Sequence, residues 1–230
     1  MSELRERMSN AMCLRGMAAR TQEAYIGALV ELAKYYHRSP ADLRVEEVQA
    51  YLLHLIRDKK LAYASVNQAS CAFRFLYRRV LGRPEAGFDI PMAKVPKRLP
   101  QILSREEVAR LIDSARTLRG RTLLMTTYAA GLRVSEVCGL QVGDIESAAD
   151  RMCLKVRQGK GGKDRYTLLS PRLLAALRIY WRDTRPQRWL FPNRAGTGPM
   201  EIQTAQRIDY AARNAAGIAL PLLPISEPTR

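Results

Sequence analysis

Apolar positions recur every three to four residues through the first third of the chain. Between residues 21 and 37 they fall at Tyr25, Ala28, Leu29, Leu32 and Tyr36, which is one stripe of a helix. Ser39-Pro40 interrupts the stripe. A second stripe follows at Val45, Val48, Leu52, Leu55 and Ile56. A third, over about residues 64–81, carries Val66, Ala69, Phe73, Leu76, Tyr77 and Val80 on one face, and Gly82 and Pro84 stop it. A weaker helical pattern covers residues 2–15. The pattern predicts a small bundle of about four helices.

The next stretch holds Pro84, Pro91, Pro96 and Pro100 and breaks the helical period. Prolines stiffen and extend a segment, so residues 85–103 read as a linker between two domains. Its Lys94, Lys97 and Arg98 admit two readings: cations laid along a polyanion, or an ordinary solvated linker. Ser104-Arg105-Glu106-Glu107 is a capping box that opens a helix to about residue 115. A mostly apolar helix over 118–130 ends at Gly131, a residue suited to positive φ. A short helix is expected over 134–140. Residues 152–157 and 165–169 alternate like strands around a glycine-rich turn at 159–164. Helices are expected over 171–183 and 201–216, and the apolar Trp189-Leu190-Phe191-Pro192 between them is expected to pack. There is no internal repeat.

Charge narrows the partner. The 230 residues carry 38 Lys plus Arg against 22 Asp plus Glu, a formal net charge of +16. Residues 1–87 hold 14 basic and 9 acidic side chains (+5), and residues 88–230 hold 24 and 13 (+11). Both parts favour polyanions, because each neutralised phosphate releases condensed counterions. Cys13, Cys71, Cys138 and Cys153 form no C-x-x-C pair, and the only histidines are His37 and His54, so the pattern does not suit a zinc site. A reducing, intracellular compartment is the simplest reading of that cysteine usage. The apolar runs are shorter than a membrane span, and the charged start MSELRERMSN lacks a signal-peptide pattern.

Two segments carry candidate chemistry. In Gly131-Leu132-Arg133-Val134-Ser135-Glu136 an arginine follows directly on a helix stop. Its planar guanidinium suits bidentate phosphate contact, and the alternative is a structural arginine paired with Glu136 or Asp144. In Val156-Arg157-Gln158-Gly159-Lys160-Gly161-Gly162-Lys163-Asp164-Arg165 a lysine stands at the tip of a hairpin. Such a lysine can enter a DNA groove and deliver a proton, or simply decorate a solvated turn. The glycine spacing is not that of a P-loop.

These two segments in this order resemble the tyrosine recombinase (phage integrase) family. The helical stretches TQEAYIGALVELAKYY and SVNQASCAFRFLYRRVLG look like that family's SAM-like core-binding domain. The resemblance implies a mainly α fold: a SAM-like helical bundle over 1–84, the linker 85–103, and a partial α+β catalytic domain with a small β-hairpin or sheet over 104–218, followed by an aberrant tail 219–230. It implies that Arg133 contacts the scissile phosphate and that Lys160 protonates the departing 5′ oxygen. Lys163 and Arg165 match positions that grip the DNA backbone, and Glu136 and Asp144 match positions that orient Arg133 and tie the local structure. Asn67, Arg74 and Arg78 are candidates for the DNA-facing side of their helix, against a plain solvated face as the alternative. The implied partner is double-stranded DNA, with intact recombinase protomers as further candidates; no metal or other cofactor is implied, and the setting is the cytoplasm, at the nucleoid.

The sequence departs from the family further on. A His-x-x-Arg box, a further His or Trp and a tyrosine nucleophile are expected beyond the hairpin, yet no histidine follows His54. The last residues run Ala-Leu-Pro-Leu-Leu-Pro-Ile-Ser-Glu-Pro-Thr-Arg, and three prolines do not suit the helices expected there. The expectation is a C-terminally truncated or frameshifted member that binds DNA and does not cleave it. Two alternatives stand beside it: a non-catalytic module that occupies recombination sites or interferes with intact recombinase, and a basic RNA-associated protein with chance motifs.

Overall fold

The computed structural model describes residues 3–83, 90–94, 102–157 and 163–219. They fall into two compact units, one within Met1–Arg98 and one within Leu99–Pro228.

In the first unit, α1 (Glu3–Cys13), α2 (Ala19–Tyr36), α3 (Val45–Arg57) and α4 (Tyr63–Phe75) follow the apolar stripes. His37, with φ of 50°, closes α2 in the left-handed region. The third stripe does not stay α-helical to its end. Residues Leu76–Val80 form a wider π-helical turn. The adjacent Leu76 and Tyr77 are both fully buried there. The core gathers Met8, Met12, Leu32, Val48, Phe73 and Tyr77, and Tyr77 satisfies its hydroxyl by donating to Pro40 O at 2.7 Å. Ile90, from beyond the helices, completes this core.

In the second unit, α5 (Arg105–Asp113) starts on the expected box: Ser104 Oγ accepts from Glu107 N at 3.2 Å, and Glu107 accepts from Ser104 N at 2.7 Å. Then come α6 (Leu118–Ala130), α7 (Val134–Cys138), a 3-10 turn (Val142–Asp144), β1 (Ile145–Glu146), β2 (Cys153–Val156), β3 (Arg165–Leu168), α8 (Pro171–Thr184) and α9 (Ile202–Ala216). The sheet is antiparallel in the order β1-β2-β3, with Leu154 opposite Ile145 and Thr167.

Helix α6 runs between two cores. Leu123 joins the larger, with Val137, Leu154, Val156, Leu173, Tyr180 and Phe191; Leu124 joins the smaller, with Leu111, Ala212 and Ile218. Its positions facing the two cores are therefore apolar or threonine, while Arg121 and Tyr128 stand on the exposed side. Its buried Thr122, Thr126 and Thr127 return their hydroxyls to carbonyls four residues back, at 2.7–2.9 Å. Leu190 and Phe191 pack into the larger core as expected, and Leu190 N donates to Leu140 O at 2.8 Å. Among the described residues no helix is long and apolar enough to cross a membrane.

Candidate functional site

The site begins at the end of α6. Gly131 adopts φ of 60°, and Leu132 N then donates to Thr127 O at 3.0 Å with its side chain buried, so the chain turns sharply and α7 starts two residues later. Arg133 occupies the joint. Its backbone N–H donates to Glu136 Oε2 at 2.8 Å, which closes the first turn of α7. Its side chain donates from Nη1 to Glu136 Oε1 at 2.9 Å.

Strand β3 approaches the same carboxylate from another direction. Arg165 Nη1 donates to Glu136 Oε1 at 2.7 Å and Nη2 to Oε2 at 2.8 Å, a two-pronged fork. The Glu136 side chain is only 4% exposed. Its carboxyl is held down at about 2: the Arg165 hydrogen bonds contribute most, burial opposes them, and the backbone and guanidinium of Arg133 add to the lowering. Thr167 Oγ1 donates to Ala130 O at 2.8 Å and ties β3 to the end of α6.

The Arg133 side chain is 51% exposed. Among the described residues Glu136 is the hydrogen-bond partner of its guanidinium. A permanently charged fork is thus anchored by one nitrogen and half open to solvent, a state suited to an external oxyanion. Lys163 is exposed, and Lys155 Nζ lies 3.5 Å from Asp164 Oδ2.

Three expectations change on this geometry. Arg165 does not offer its fork outward, because both prongs are committed to Glu136. Of the two tasks expected of Asp144, it does not orient Arg133 but does tie the local structure: it accepts from Arg157 Nε at 2.6 Å and from Gln141 N at 3.0 Å, and so holds the start of the hairpin to the 3-10 turn. Asn67 is half-buried with its amide engaged on both edges, donating to Ala93 O at 2.8 Å and accepting from Ala93 N at 2.7 Å. Arg74 likewise donates from Nε to Ile90 O at 2.7 Å. These two side chains pin residues 90–93 against α4. Arg78 is half-buried on the π-helical turn, and Lys94 is exposed. Lys97, Arg98 and Lys160 lie outside the described residues. Among the tyrosines, Tyr180 is 1% exposed inside the larger core, where burial raises its hydroxyl above the usual range; Tyr166 and Tyr210 are 69% and 59% exposed.

Arg157 and Thr167 carry no expectation from the sequence, and Arg165 is not the backbone-gripping cation expected of it. For Arg165 and Thr167 the signal is strand alternation: both stand on the inward face of β3, with Tyr166 and Leu168 on the outward one; Arg157 follows the buried Val156 and carries no such signal.

A helical bundle followed by a helix-rich unit with a three-stranded sheet, carrying an arginine locked at a helix joint, defines a narrow class. Residues 4–86 match the phage integrase N-terminal SAM-like domain, and residues 101–226 match the phage integrase family. The chain belongs to that family. It is 37% identical over 227 residues to the integrase/recombinase y4qK of Sinorhizobium fredii, covering 98% of this chain and 73% of that protein. It is 32% identical to the tyrosine recombinase XerD of Caulobacter vibrioides, covering 89% of this chain and 72% of that protein. Among solved structures, a lambda integrase dimer bound to a COC′ core site matches with a TM-score of 0.72 at 18% identity, covering 96% of this chain and 80% of that one, which shows the shared fold.

Proposed function

We propose that this chain binds double-stranded DNA as a tyrosine recombinase does, and that Arg133 contacts a phosphodiester at the point of strand exchange. The observation that carries the reading is the Arg133 fork, held by a buried carboxylate at one nitrogen and half exposed at the rest. In the transition state of phosphoryl transfer such a cation offsets charge on the non-bridging oxygens. In this reading residues 1–84 form the core-binding domain, 85–103 the linker with Lys94, Lys97 and Arg98 along the backbone, and 104–218 the catalytic part. Lys163 adds a phosphate contact, and Lys160 supplies the proton that a departing 5′ oxygen requires. Arg78 contributes to DNA binding from the first unit. The chain works in the cytoplasm, on the nucleoid.

We further infer that these 230 residues do not cleave DNA by themselves. They contain no histidine beyond His54, so a His-x-x-Arg box cannot be drawn from them. A core tyrosine such as Tyr180 cannot reach an external phosphate without unpacking its core. The chain then acts as an occupant of recombination sites, alone or beside intact recombinase protomers.

Two measurements test this. A mobility-shift titration on duplex containing inverted repeats is expected to show binding that Arg133→Ala weakens; equal binding by both forms removes Arg133 from the interface. A nicked suicide substrate, which traps covalent protein–DNA intermediates, is expected to yield no adduct. A denaturation-resistant adduct overturns the inactivity.

A further inference from the structure

We infer that Arg165 is a positioning residue: it occupies both oxygens of Glu136 and thereby keeps the remaining donors of Arg133 available to a phosphate. The inference rests on the phosphate-contact role proposed for Arg133, and it gives Arg165 a task other than gripping DNA.

The four hydrogen bonds on Glu136 divide evenly between its oxygens. Each Glu136 oxygen accepts once from each arginine. Oε1 takes Nη1 of Arg165 at 2.7 Å and Nη1 of Arg133 at 2.9 Å; Oε2 takes Nη2 of Arg165 at 2.8 Å and the backbone N–H of Arg133 at 2.8 Å. A carboxylate and a guanidinium prefer to meet as two parallel bonds. Glu136 makes that pair with Arg165, across 29 residues of sequence, and not with Arg133 three residues away. Arg133 therefore spends one nitrogen on the carboxylate. Without the Arg165 fork, the carboxylate is released to turn and take Arg133 in the two-pronged pair instead. That rearrangement draws donors away from the solvent side, where an external oxyanion would meet them.

Charge gives the same direction. One carboxylate between two guanidinium groups leaves a local excess of one positive charge, half exposed at Arg133. A lysine at 165 keeps that excess but has no planar fork, so it separates the two effects. Arg165→Lys is therefore the informative substitution.

The experiment is a double-mutant cycle on duplex binding, read by fluorescence anisotropy on the full chain at fixed salt. Arg133→Ala and Arg165→Lys are each expected to weaken binding about tenfold. The double variant is expected to bind no more weakly than Arg133→Ala alone, since a positioning residue has nothing left to position. Losses that multiply in the double variant mean that Arg165 contacts DNA independently, and they overturn the inference. A second readout needs no DNA: 15N relaxation at the Arg133 Nε–H. Arg165→Lys is expected to change its order, and an unchanged signal in a folded variant overturns the inference. If Arg133→Ala binds like the parent chain, the phosphate role of Arg133 falls, and the relaxation measurement still decides whether Arg165 positions it.

Discussion

Glu136 joins helix capping to the candidate chemistry, since one carboxylate closes the first turn of α7, anchors Arg133 and receives Arg165. Its carboxyl titrates at about 2 in the folded chain, below its ordinary value of 4.5. The unfolded chain therefore takes up the proton at higher pH than the folded one. The stabilisation is complete above about pH 4.5 and is lost as pH falls from there toward 2. Because both arginines are partly solvated, the contribution is on the order of 2 kcal/mol. Glu136→Gln is expected to lose that amount in urea titrations at pH 7. The gap between variant and parent should then narrow by pH 3, and a gap that persists at low pH would show that the charge is not its origin. At this scale the sequence was half legible. Arg133 stood out because a helix stop precedes it. The roles of Asn67 and Arg165 did not, because a polar side chain on a half-buried face looks like a surface residue until its partner is known. For Asn67 that partner is the backbone of Ala93, 26 residues away; for Arg165 it is 29 residues away.

Elements were far more readable than partners. Helix α6 coincides with the expected 118–130, and the boundaries of α2, α3, α8 and α9 fall within two residues of expectation. The reason is that period, caps and breakers are local, and each of these helices has at least one of them: an amphipathic stripe on α2, α3, α8 and α9, and a threonine cap with a glycine stop on α6. The π-helical turn at Leu76–Val80 was not legible, because its apolar positions also satisfy an α-helical stripe, and only packing distinguishes the two. Strand β1 is two residues long and has no alternation to read. Gly131 is where a local signal sets the site, since its left-handed turn determines where α7 begins and hence where Arg133 stands. No atom lies within 4 Å of a Cβ built there, so a substitution meets backbone strain and no clash. Gly131→Ala is expected to cost about 1–2 kcal/mol, the penalty of placing an L side chain in that region. Chemical denaturation measures it; an unchanged midpoint would mean that the turn relaxes at no cost and that Arg133 is less firmly placed than the geometry implies.

For the whole molecule the question is whether +16 acts as a diffuse charge or through particular contacts. The two make different statements about salt. Diffuse charge speeds encounter and is screened smoothly, whereas each phosphate contact releases counterions and adds about 0.9 to the slope of log K against log salt. Some of the arginines are already committed within the chain: Arg165, Arg157 and Arg38 are joined to Glu136, Asp144 and Glu47. Arg133 and Lys163 are the described cations of the second unit that the proposed reading leaves for phosphate. Replacing both by alanine is expected to reduce the slope by roughly 1.8, two contacts' worth. Lys34 supplies the control: it is exposed on α2 and lies 2.8 Å from Glu31, so Lys34→Ala removes one unit of net charge and no proposed contact. It is expected to leave the slope unchanged while slightly slowing association. If Lys34→Ala lowers the slope as much per charge as the Arg133 and Lys163 pair does, the basic surface binds DNA as a cloud. The arginine at the α6–α7 joint then has no privileged place on it.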